Sequence, residues 1–133
     1  MRISIIIPTL NAGDSLEQLL SALISQDKPP LEIIIIDSSS CDNTVNIAES
    51  FGARTILIPG HAFKHGKARN QAAMEARGDV LVFMTQDALP ANNTLIRMLT
   101  EPLGSPDIAE TFGRHIDGYQ KCHQPANAVT DAV

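Results

Sequence analysis

The chain has 133 residues, the length of a single domain, and 44% of them are apolar, so a hydrophobic interior can form. Tryptophan is absent and Tyr119 is the only tyrosine, so we expect that interior to be aliphatic. The formal charge of −5 argues against a nucleic-acid-binding surface, which usually carries a basic patch, and against a polybasic membrane anchor. No run reaches the roughly 18 apolar residues of a membrane span, and Cys41 and Cys122 match no metal-binding spacing.

Buried-strand patterns alternate with helix patterns along the chain. The predicted strands are short, largely β-branched apolar runs, as in a parallel sheet that is covered on both faces. In chain order, the first predicted element is a strand over Ile3–Ile7 that Pro8 ends, followed by a helix that begins at Asp14, which forms a capping box with Glu17. A strand over Leu31–Ile36 and a short helix, capped by Asp42 and ended by Gly52, come next. The third predicted strand covers Arg54–Ile58. They are followed by a helix over about Lys67–Arg77, a strand over Val80–Met84, a helix capped by Asn92 or Asn93, and a strand over Ile108–Phe112.

The inward faces of two predicted helices indicate how they meet the sheet. The first helix carries a leucine-rich stripe, and the third carries alanines four residues apart, whose small side chains let a helix lie close to a sheet. The members are Leu16, Leu19, Leu20, Leu23 and Ile24 in the first helix and Ala68, Ala72 and Ala76 in the third. This alternation predicts an α/β fold with a mainly parallel, three-layer α/β/α sheet of the Rossmann-like type.

Polar side chains follow three of the predicted strands. Thr9 and Asn11 come after the first strand, residues 37–42 after the second, and Gln86 and Asp87 after the fourth. In a parallel sheet the carboxyl ends of the strands meet at one edge, and ligands bind in the crevice beyond it. The sequence therefore predicts one binding crevice that all three polar clusters line.

The carboxylates of this crevice suit different tasks. Asp87 is the kind of ligand that Mg²⁺ or Mn²⁺ takes, with water and substrate phosphates in the remaining positions, although a turn-capping role before Pro90 is the alternative. Asp37 suits a nucleobase N–H or a ribose hydroxyl, and its alternative is a turn-forming role in a serine-rich loop. Asp42 is more typical of a helix cap than of a ligand.

Two basic residues lie in the first turn of the third predicted helix. Lys67 and Arg69, together with the free N–H groups of a helix start, suit an anion such as a diphosphate. The alternative is a solvated first turn, but cations at that end oppose the helix dipole, which favours a negative group nearby.

The absence of several motifs narrows the class of protein. The sequence lacks G-x-G-x-x-G after the first strand, which a dinucleotide-binding fold needs, and it lacks the G-x-x-x-x-G-K-[ST] loop of P-loop NTPases. It also lacks the G-x-S-x-G turn of α/β-hydrolases.

An ordered set of short motifs extends over about residues 3–115. It consists of Ser4–Asn11, Ile33–Asp42, His65–Asn70, Ala76–Asp79, Val82–Pro90 and Gly113–Arg114. Together these segments resemble family 2 glycosyltransferases of the GT-A fold. The T-Q-D-A form at 85–88, preceded by H-G-x-x-R-N, is most similar to the rhamnosyltransferase-like branch.

The resemblance implies roles for several residues. Thr9, Asp37 and Arg69 match positions that line the nucleotide pocket, and Asp87 matches the Asp that holds a divalent metal, Mg²⁺ or Mn²⁺, on the donor diphosphate. The chain departs from the family pattern at Thr85, where the first Asp of D-x-D usually stands, and at Ser38, where a second Asp usually stands. The complete set predicted to bind the donor nucleotide is Thr9, Asn11, Asp37, Lys67, Arg69 and Gln86, with Asp87 as the metal ligand.

We therefore expect residues 1–116 to form a nucleotide-sugar-binding domain, the Rossmann-like half of a GT-A fold. We expect residues 117–133 to be a loosely ordered tail or the stub of a C-terminal half. In the family that half supplies acceptor contacts and the general base, so the base is expected outside this chain and no catalytic residue is assigned.

The expected function is inverting transfer of a sugar from a nucleoside diphosphate sugar, with dTDP-rhamnose as the candidate donor, to a glycan or lipid-linked acceptor. The expected location is the cytoplasm, with the full-length protein peripheral at the inner face of the membrane. Two alternatives stay open, an inactive nucleotide-binding fragment or pseudoenzyme and a sugar-nucleotide pyrophosphorylase. The P-T-L-N segment at 8–11 argues against the second, which needs a glycine-rich loop there.

Overall fold

The computed structural model describes residues 1–60, 65–111 and 113, with the side chain of His65 left out. The predicted tail, Arg114 of the last motif and Phe112 lie outside the described residues.

The described chain forms a parallel sheet with helices on both faces, which confirms the predicted α/β fold class. The strands are β1 (Ile3–Thr9), β2 (Glu32–Asp37), β3 (Arg54–Leu57) and β4 (Val80–Phe83), in the order β3-β2-β1-β4. The helices are α1 (Gly13–Ile24), α2 (Thr44–Ser50), α3 (His65–Glu75) and α4 (Leu95–Thr100), followed by a 3-10 turn over Glu101–Gly104.

The interior has two aliphatic layers, one on each face of the sheet. On one face α1, α2 and α4 cover Ile3, Ile5 and Ile7 of β1, and on the other α3 covers Ile6. The predicted leucine stripe of α1 is buried, but Ile24 is 47% exposed, so its assignment to that stripe was wrong. Buried alanines attach α3 to the sheet as predicted, namely Ala68 and Ala72, with Ala76 partly buried just beyond the helix.

Pro8 was predicted to end the first strand, but it does not. β1 continues to Thr9, with Pro8 opposite Ile36 of β2. The carbonyl of Ile6 accepts a hydrogen bond from Met84 N at 3.0 Å, so Ile6 and Pro8, two residues apart, direct their backbone groups toward the β4 side. β4 ends at Phe83, opposite Ile6, so the N–H that proline lacks would point past the end of that strand.

Two further predicted boundaries are wrong. α1 begins at Gly13 with Ala12 as its capping residue, so Asp14 lies in the first turn and does not form a capping box with Glu17. Residues 108–111 do not form a strand, although one was predicted over Ile108–Phe112. The other element bounds differ from the predicted ones by one or two residues, as is usual at frayed ends.

Glu32 joins several elements at the amino edge of the sheet. Its Oε1 accepts hydrogen bonds from the hydroxyl of Ser4 at 2.7 Å and from the backbone N–H of Arg77 at 2.6 Å, and its Oε2 accepts from Arg54 Nη1 at 3.2 Å. Burial acts to raise the pKa of Glu32, but the hydrogen bonds from Arg77 and Ser4 and the charge of Arg54 outweigh it and lower the pKa below its ordinary value. One carboxylate thus fixes the starts of β1, β2 and β3 and the segment that leaves α3.

Replacement of Glu32 tests this junction. Glu32→Gln should lower the free energy of unfolding at pH 7 by about 1–2 kcal/mol, because it removes the charge that Arg54 faces and a strong acceptor. Because the folded-state pKa is lowered, the carboxylate stabilises the fold above its unfolded pKa of about 4.3, and this contribution is lost as the pH falls through the folded-state pKa. Urea denaturation at several pH values should show the difference between wild type and variant shrinking below about pH 4.

Glu75→Gln is the matched control, since Glu75 is 45% exposed and meets the same Arg54 only at 3.5 Å. It should have little effect on stability. A Glu32→Gln deficit that stays constant with pH would contradict the assignment.

Candidate functional site

The strand order places a crevice between the carboxyl ends of β1 and β4. From β1 the chain goes to β2 and β3 on one side and then returns to β4 on the other, so the loops after β1 and β4 leave in opposite directions. A cavity of about 440 Å³ lies there, lined by Pro8, Thr9, Leu10, Arg69, Thr85, Gln86 and Asp87. Ligands of open α/β sheets bind at such reversals of strand order.

The predicted site residues fall into two groups around this cavity. Thr9, Arg69, Gln86 and Asp87 belong to its wall. The wall does not include the remaining predicted residues, Asn11, Asp37 and Lys67. Their direct contact with a nucleotide stays a prediction.

Asp37 is engaged within the protein. The side chain is 1% exposed, and its Oδ1 accepts hydrogen bonds from the hydroxyls of Thr9, at 2.9 Å, and Ser40. Its Oδ2 accepts from the backbone N–H of Ser40 at 2.8 Å. Asp37 therefore holds Thr9, a cavity residue, against the loop that follows β2.

Asn11 fastens the loop after β1 to the same segment. Its Oδ1 accepts from Cys41 N at 2.8 Å, while its own N–H donates to the hydroxyl of Ser40 at 2.8 Å. Asn11 and Ser39 have positive φ values of 49° and 62°, in the left-handed region that non-glycine residues rarely adopt. Such strain persists only where surrounding contacts hold the backbone, as these hydrogen bonds do for Asn11.

Asp42 and Thr44 satisfy the start of α1 from the neighbouring loop. Asp42 Oδ2 accepts from Gly13 N at 3.0 Å, and Thr44 Oγ1 accepts from Ala12 N at 2.9 Å. Asp42 Oδ1 also accepts hydrogen bonds from the hydroxyl and the N–H of Thr44. The hydrogen bond from the hydroxyl is the main reason that the pKa of Asp42 lies below its ordinary value. The predicted preference for capping over ligation agrees with this geometry, but the capped N–H groups belong to two helices. A Cβ on Gly13 would lie 2.2 Å from Asn43 Oδ1, so a larger residue there would require the Asn43 side chain to move.

The two predicted cations of α3 differ in their surroundings. Arg69 lines the cavity, and its Cζ lies 5.7 Å from the ring centroid of Phe83, the last residue of β4. Lys67 is exposed. Of the two, the structure brings Arg69 into the cavity wall.

The loop after β4 supplies the amide and the carboxylate. Gln86 Oε1 accepts from Leu10 N at 2.8 Å, so it links the chain after β4 to the chain after β1 across the crevice. Asp87 is exposed, and its Oδ1 accepts from the hydroxyl of Thr85 at 2.7 Å. Within residues 1–60, 65–111 and 113, no cluster of three or more histidine, cysteine, aspartate or glutamate side chains could hold a metal ion.

Three residues that contact the predicted site residues or their loops were missed in the sequence. Ser40 was treated only as part of the serine-rich loop after the second strand, Thr44 only as part of the short second helix, and Phe83 as one member of an apolar strand. The serine-rich run after β2 signalled hydrogen bonding in general, but it did not reveal that the partners lie after β1. Phe83 gave no signal, because a cation–π contact depends on where α3 lies over the sheet.

The first comparison concerns sequence. Residues 4–123 match the family model described as glycosyl transferase family 2, and the chain belongs to this family. It is 38% identical over 129 residues to the O-antigen chain rhamnosyltransferase RfbN of Salmonella typhimurium strain LT2, covering 96% of this chain and 40% of that protein. It is 36% identical over 115 residues to the O-antigen chain rhamnosyltransferase WbaN of Salmonella anatum, covering 85% of this chain and 36% of that one. The chain thus spans about two fifths or less of the length of these relatives.

Solved structures agree with the sequence comparison. Glucosyl-3-phosphoglycerate synthase from Mycobacterium tuberculosis in complex with UDP superposes with a TM-score of 0.68 at 25% identity, covering 84% of this chain and 43% of that one. The same enzyme in complex with Mn²⁺, UDP and glucosyl-3-phosphoglycerate gives a TM-score of 0.71 at 25% identity, covering 88% and 44%. The sheet and its helices are thus those of a GT-A fold glycosyltransferase.

Among the described helices, none is both long and apolar enough to cross a membrane.

The role of Thr44 in building the site can be tested by an isosteric change. Thr44 is fully buried, so Thr44→Val keeps its shape but leaves the N–H of Ala12 without its acceptor. We expect a loss of about 1–3 kcal/mol in the free energy of unfolding, measured by chemical denaturation. Thr44→Ser, which keeps the hydroxyl, should lose clearly less. A smaller loss for Thr44→Val than for Thr44→Ser would show that the methyl group, rather than the hydrogen bond, stabilises the loop.

Proposed function

We propose that residues 1–116 form the donor site of a glycosyltransferase that moves a sugar from a nucleoside diphosphate sugar, with inversion, to a glycan or lipid-linked acceptor. The observation that carries the proposal is the cavity at the strand-order reversal, with a cation and a carboxylate in its wall. The preferred donor is dTDP-rhamnose, because the rhamnosyltransferases RfbN and WbaN match most of the chain.

The contents of the cavity suit a nucleoside diphosphate. Thr9 offers a hydroxyl, Gln86 an amide and Arg69 a guanidinium, whose planar donors match phosphate oxygens. The volume of about 440 Å³ falls within the range of small-molecule sites, roughly 300–1,000 Å³. Arg69 would bind the diphosphate, and Gln86, which accepts a hydrogen bond from Leu10 N, would fix the distance between the two loops that enclose it.

A divalent metal fits the carboxylate present. Mg²⁺ is usually bound by one or two carboxylates, with waters and substrate phosphates as the other ligands. Asp87 is exposed at the cavity wall, and the hydroxyl of Thr85 holds its Oδ1, which orients the carboxylate. When bound there, the metal would neutralise negative charge on the leaving diphosphate. The Mycobacterium tuberculosis enzyme crystallised with Mn²⁺ and UDP supports the choice of cofactor.

In this site the chain would contribute binding and electrostatic stabilisation. Arg69 would meet the negative charge that develops on the diphosphate as the sugar leaves, and its place in the wall is set before reaction. A general base must still deprotonate the acceptor hydroxyl. We assign none of the described residues to that task.

The metal role predicts a loss of metal-dependent binding in Asp87→Asn. Isothermal titration calorimetry should show that Mn²⁺ raises the affinity of the wild-type chain for UDP or dTDP by about tenfold or more, about 1.4 kcal/mol. In Asp87→Asn this gain should disappear, because the variant lacks the charged ligand. Asp107→Asn is the control, since Asp107 is exposed and not part of the cavity wall. An unchanged Mn²⁺ effect in Asp87→Asn would rule out the metal role.

The donor proposal predicts a preference among nucleotides. dTDP should bind this chain more tightly than UDP by calorimetry. In the full-length protein, incubation with dTDP-rhamnose and a lipid-linked sugar should transfer rhamnose with inversion at its anomeric carbon and release dTDP, as followed by proton NMR. This chain, to which no general base is assigned, should show weak or no transfer. Tighter binding of UDP than dTDP would contradict dTDP-rhamnose as the donor. Binding of dTDP without transfer by the full-length protein would favour the second candidate, a nucleotide-binding module that does not itself catalyse transfer.

A further inference from the structure

Arg69 stands on a helix whose position over the sheet is fixed. Ala68 and Ala72 are 3% and 0% exposed and belong to the cluster that includes Ile6 of β1. Their small side chains bring the backbone of α3 close to the strands, so the Cα of Arg69 is held at the cavity. The arginine side chain is long and has many rotamers, so the guanidinium itself needs a further contact to keep one position.

Phe83 supplies one such contact from the sheet. The Cζ atom of Arg69 lies 5.7 Å from the ring centroid of Phe83, within the range of a cation–π interaction. Phe83 is partly buried among the apolar residues under α3, so its ring is fixed in turn. The N–H donors of a guanidinium lie in its plane, so contact with a ring face does not use them.

The cavity wall includes Arg69 but does not include Phe83. A substitution of Phe83 would therefore change the affinity for a ligand through Arg69, and not through a direct contact between Phe83 and the ligand. An arginine that is already ordered loses less conformational entropy when it binds an anion, which raises affinity without a new contact to the ligand.

We propose that Phe83 is a positioning residue of the donor site, whose ring holds the Arg69 guanidinium where it meets the diphosphate of the nucleotide. This inference rests on the proposed function, since it takes the cavity to be the donor site. It assigns Phe83 an effect on the diphosphate half of the ligand and none on the nucleoside half.

The test compares Phe83→Leu, which removes the ring face, with Phe83→Tyr, which keeps it. By calorimetry, Phe83→Leu should bind UDP and dTDP about 3- to 10-fold more weakly than wild type, the range expected for loss of a cation–π contact. Phe83→Tyr should bind them as wild type does. Affinity for the matching nucleosides, uridine and thymidine, should be the same in all three proteins, because they carry no phosphate.

A double-mutant cycle separates this role from a structural one. In an Arg69→Met background, Phe83→Leu should have no further effect on nucleoside diphosphate affinity, because the residue through which it acts is gone. Circular-dichroism melting establishes that each variant is folded. If Phe83→Leu does not fold, Phe83→Met, whose unbranched apolar side chain can fill an irregular space, takes its place in every comparison.

The outcomes distinguish the two proposals. If the wild-type chain binds UDP or dTDP and Phe83→Leu binds them with the same affinity, the positioning role alone is overturned. An equal loss for nucleosides, or the same loss in the Arg69→Met background, would also overturn it, since either shows an effect that does not pass through the guanidinium and the diphosphate. Wild-type chain that binds neither UDP nor dTDP would overturn the proposed function and this inference with it.

Discussion

β1 pairs with β2 as far as Thr9 but with β4 only as far as Ile6, and this difference in length opens the candidate site. Beyond Ile6 the backbone of β1 has a neighbouring strand on one side only. Pro8 suits this position, because the donor that it lacks would face the side that β4 has left. The cavity lies beside this unpaired end of β1, and its wall combines Pro8, Thr9 and Leu10 with residues 85–87 after β4 and Arg69 of α3.

The two edges of the sheet are stabilised by different interactions. At the amino edge, ion pairs join Arg54 to Glu32 and Arg2 to Asp79, and the contact with Arg2 lowers the pKa of Asp79 to about 2. At the carboxyl edge, hydrogen bonds among neutral groups and the carboxylate of Asp37 connect the loops. These hydrogen bonds shape the loops without placing further cations around the cavity. Among the described residues that line the cavity, Arg69 is the one that carries a positive charge.

The sequence was sufficient to predict the sheet, its burial on both faces and the edge at which the candidate cavity lies. Four consecutive isoleucines at 33–36 indicate a strand without an exposed face, and polar residues after each strand indicate the common edge. The different surroundings of the two strand-end carboxylates were not predictable. Asp37 and Asp87 are both strand-end carboxylates, yet one is 1% exposed and bonded to Thr9 while the other is exposed at the cavity. Their difference arises because β2 lies inside the sheet, where a neighbouring loop covers its end, whereas β4 lies next to the gap.

The capping error at α1 has the same origin. Asp14 and Glu17 match a local capping pattern. In the structure, however, the N–H groups of Ala12 and Gly13 donate to Thr44 and Asp42, which are distant in sequence. Periodicity and spacing describe one element at a time, whereas these contacts exist only once β1 and β2 are in register.

The register of β1 against β2 couples the shape of the cavity to hydrogen bonds among residues that lie mostly outside the cavity wall. Thr9 depends on Asp37, Asp37 is held by Ser40, and Ser40 also accepts from the backbone of Asn11. Residues of the loop after β2 therefore determine where the loop after β1 runs, even though the cavity wall contains none of them. A short strand-end motif rich in Asp and Ser can thus be needed for nucleotide binding through the backbone that it arranges, rather than through contacts with the nucleotide itself.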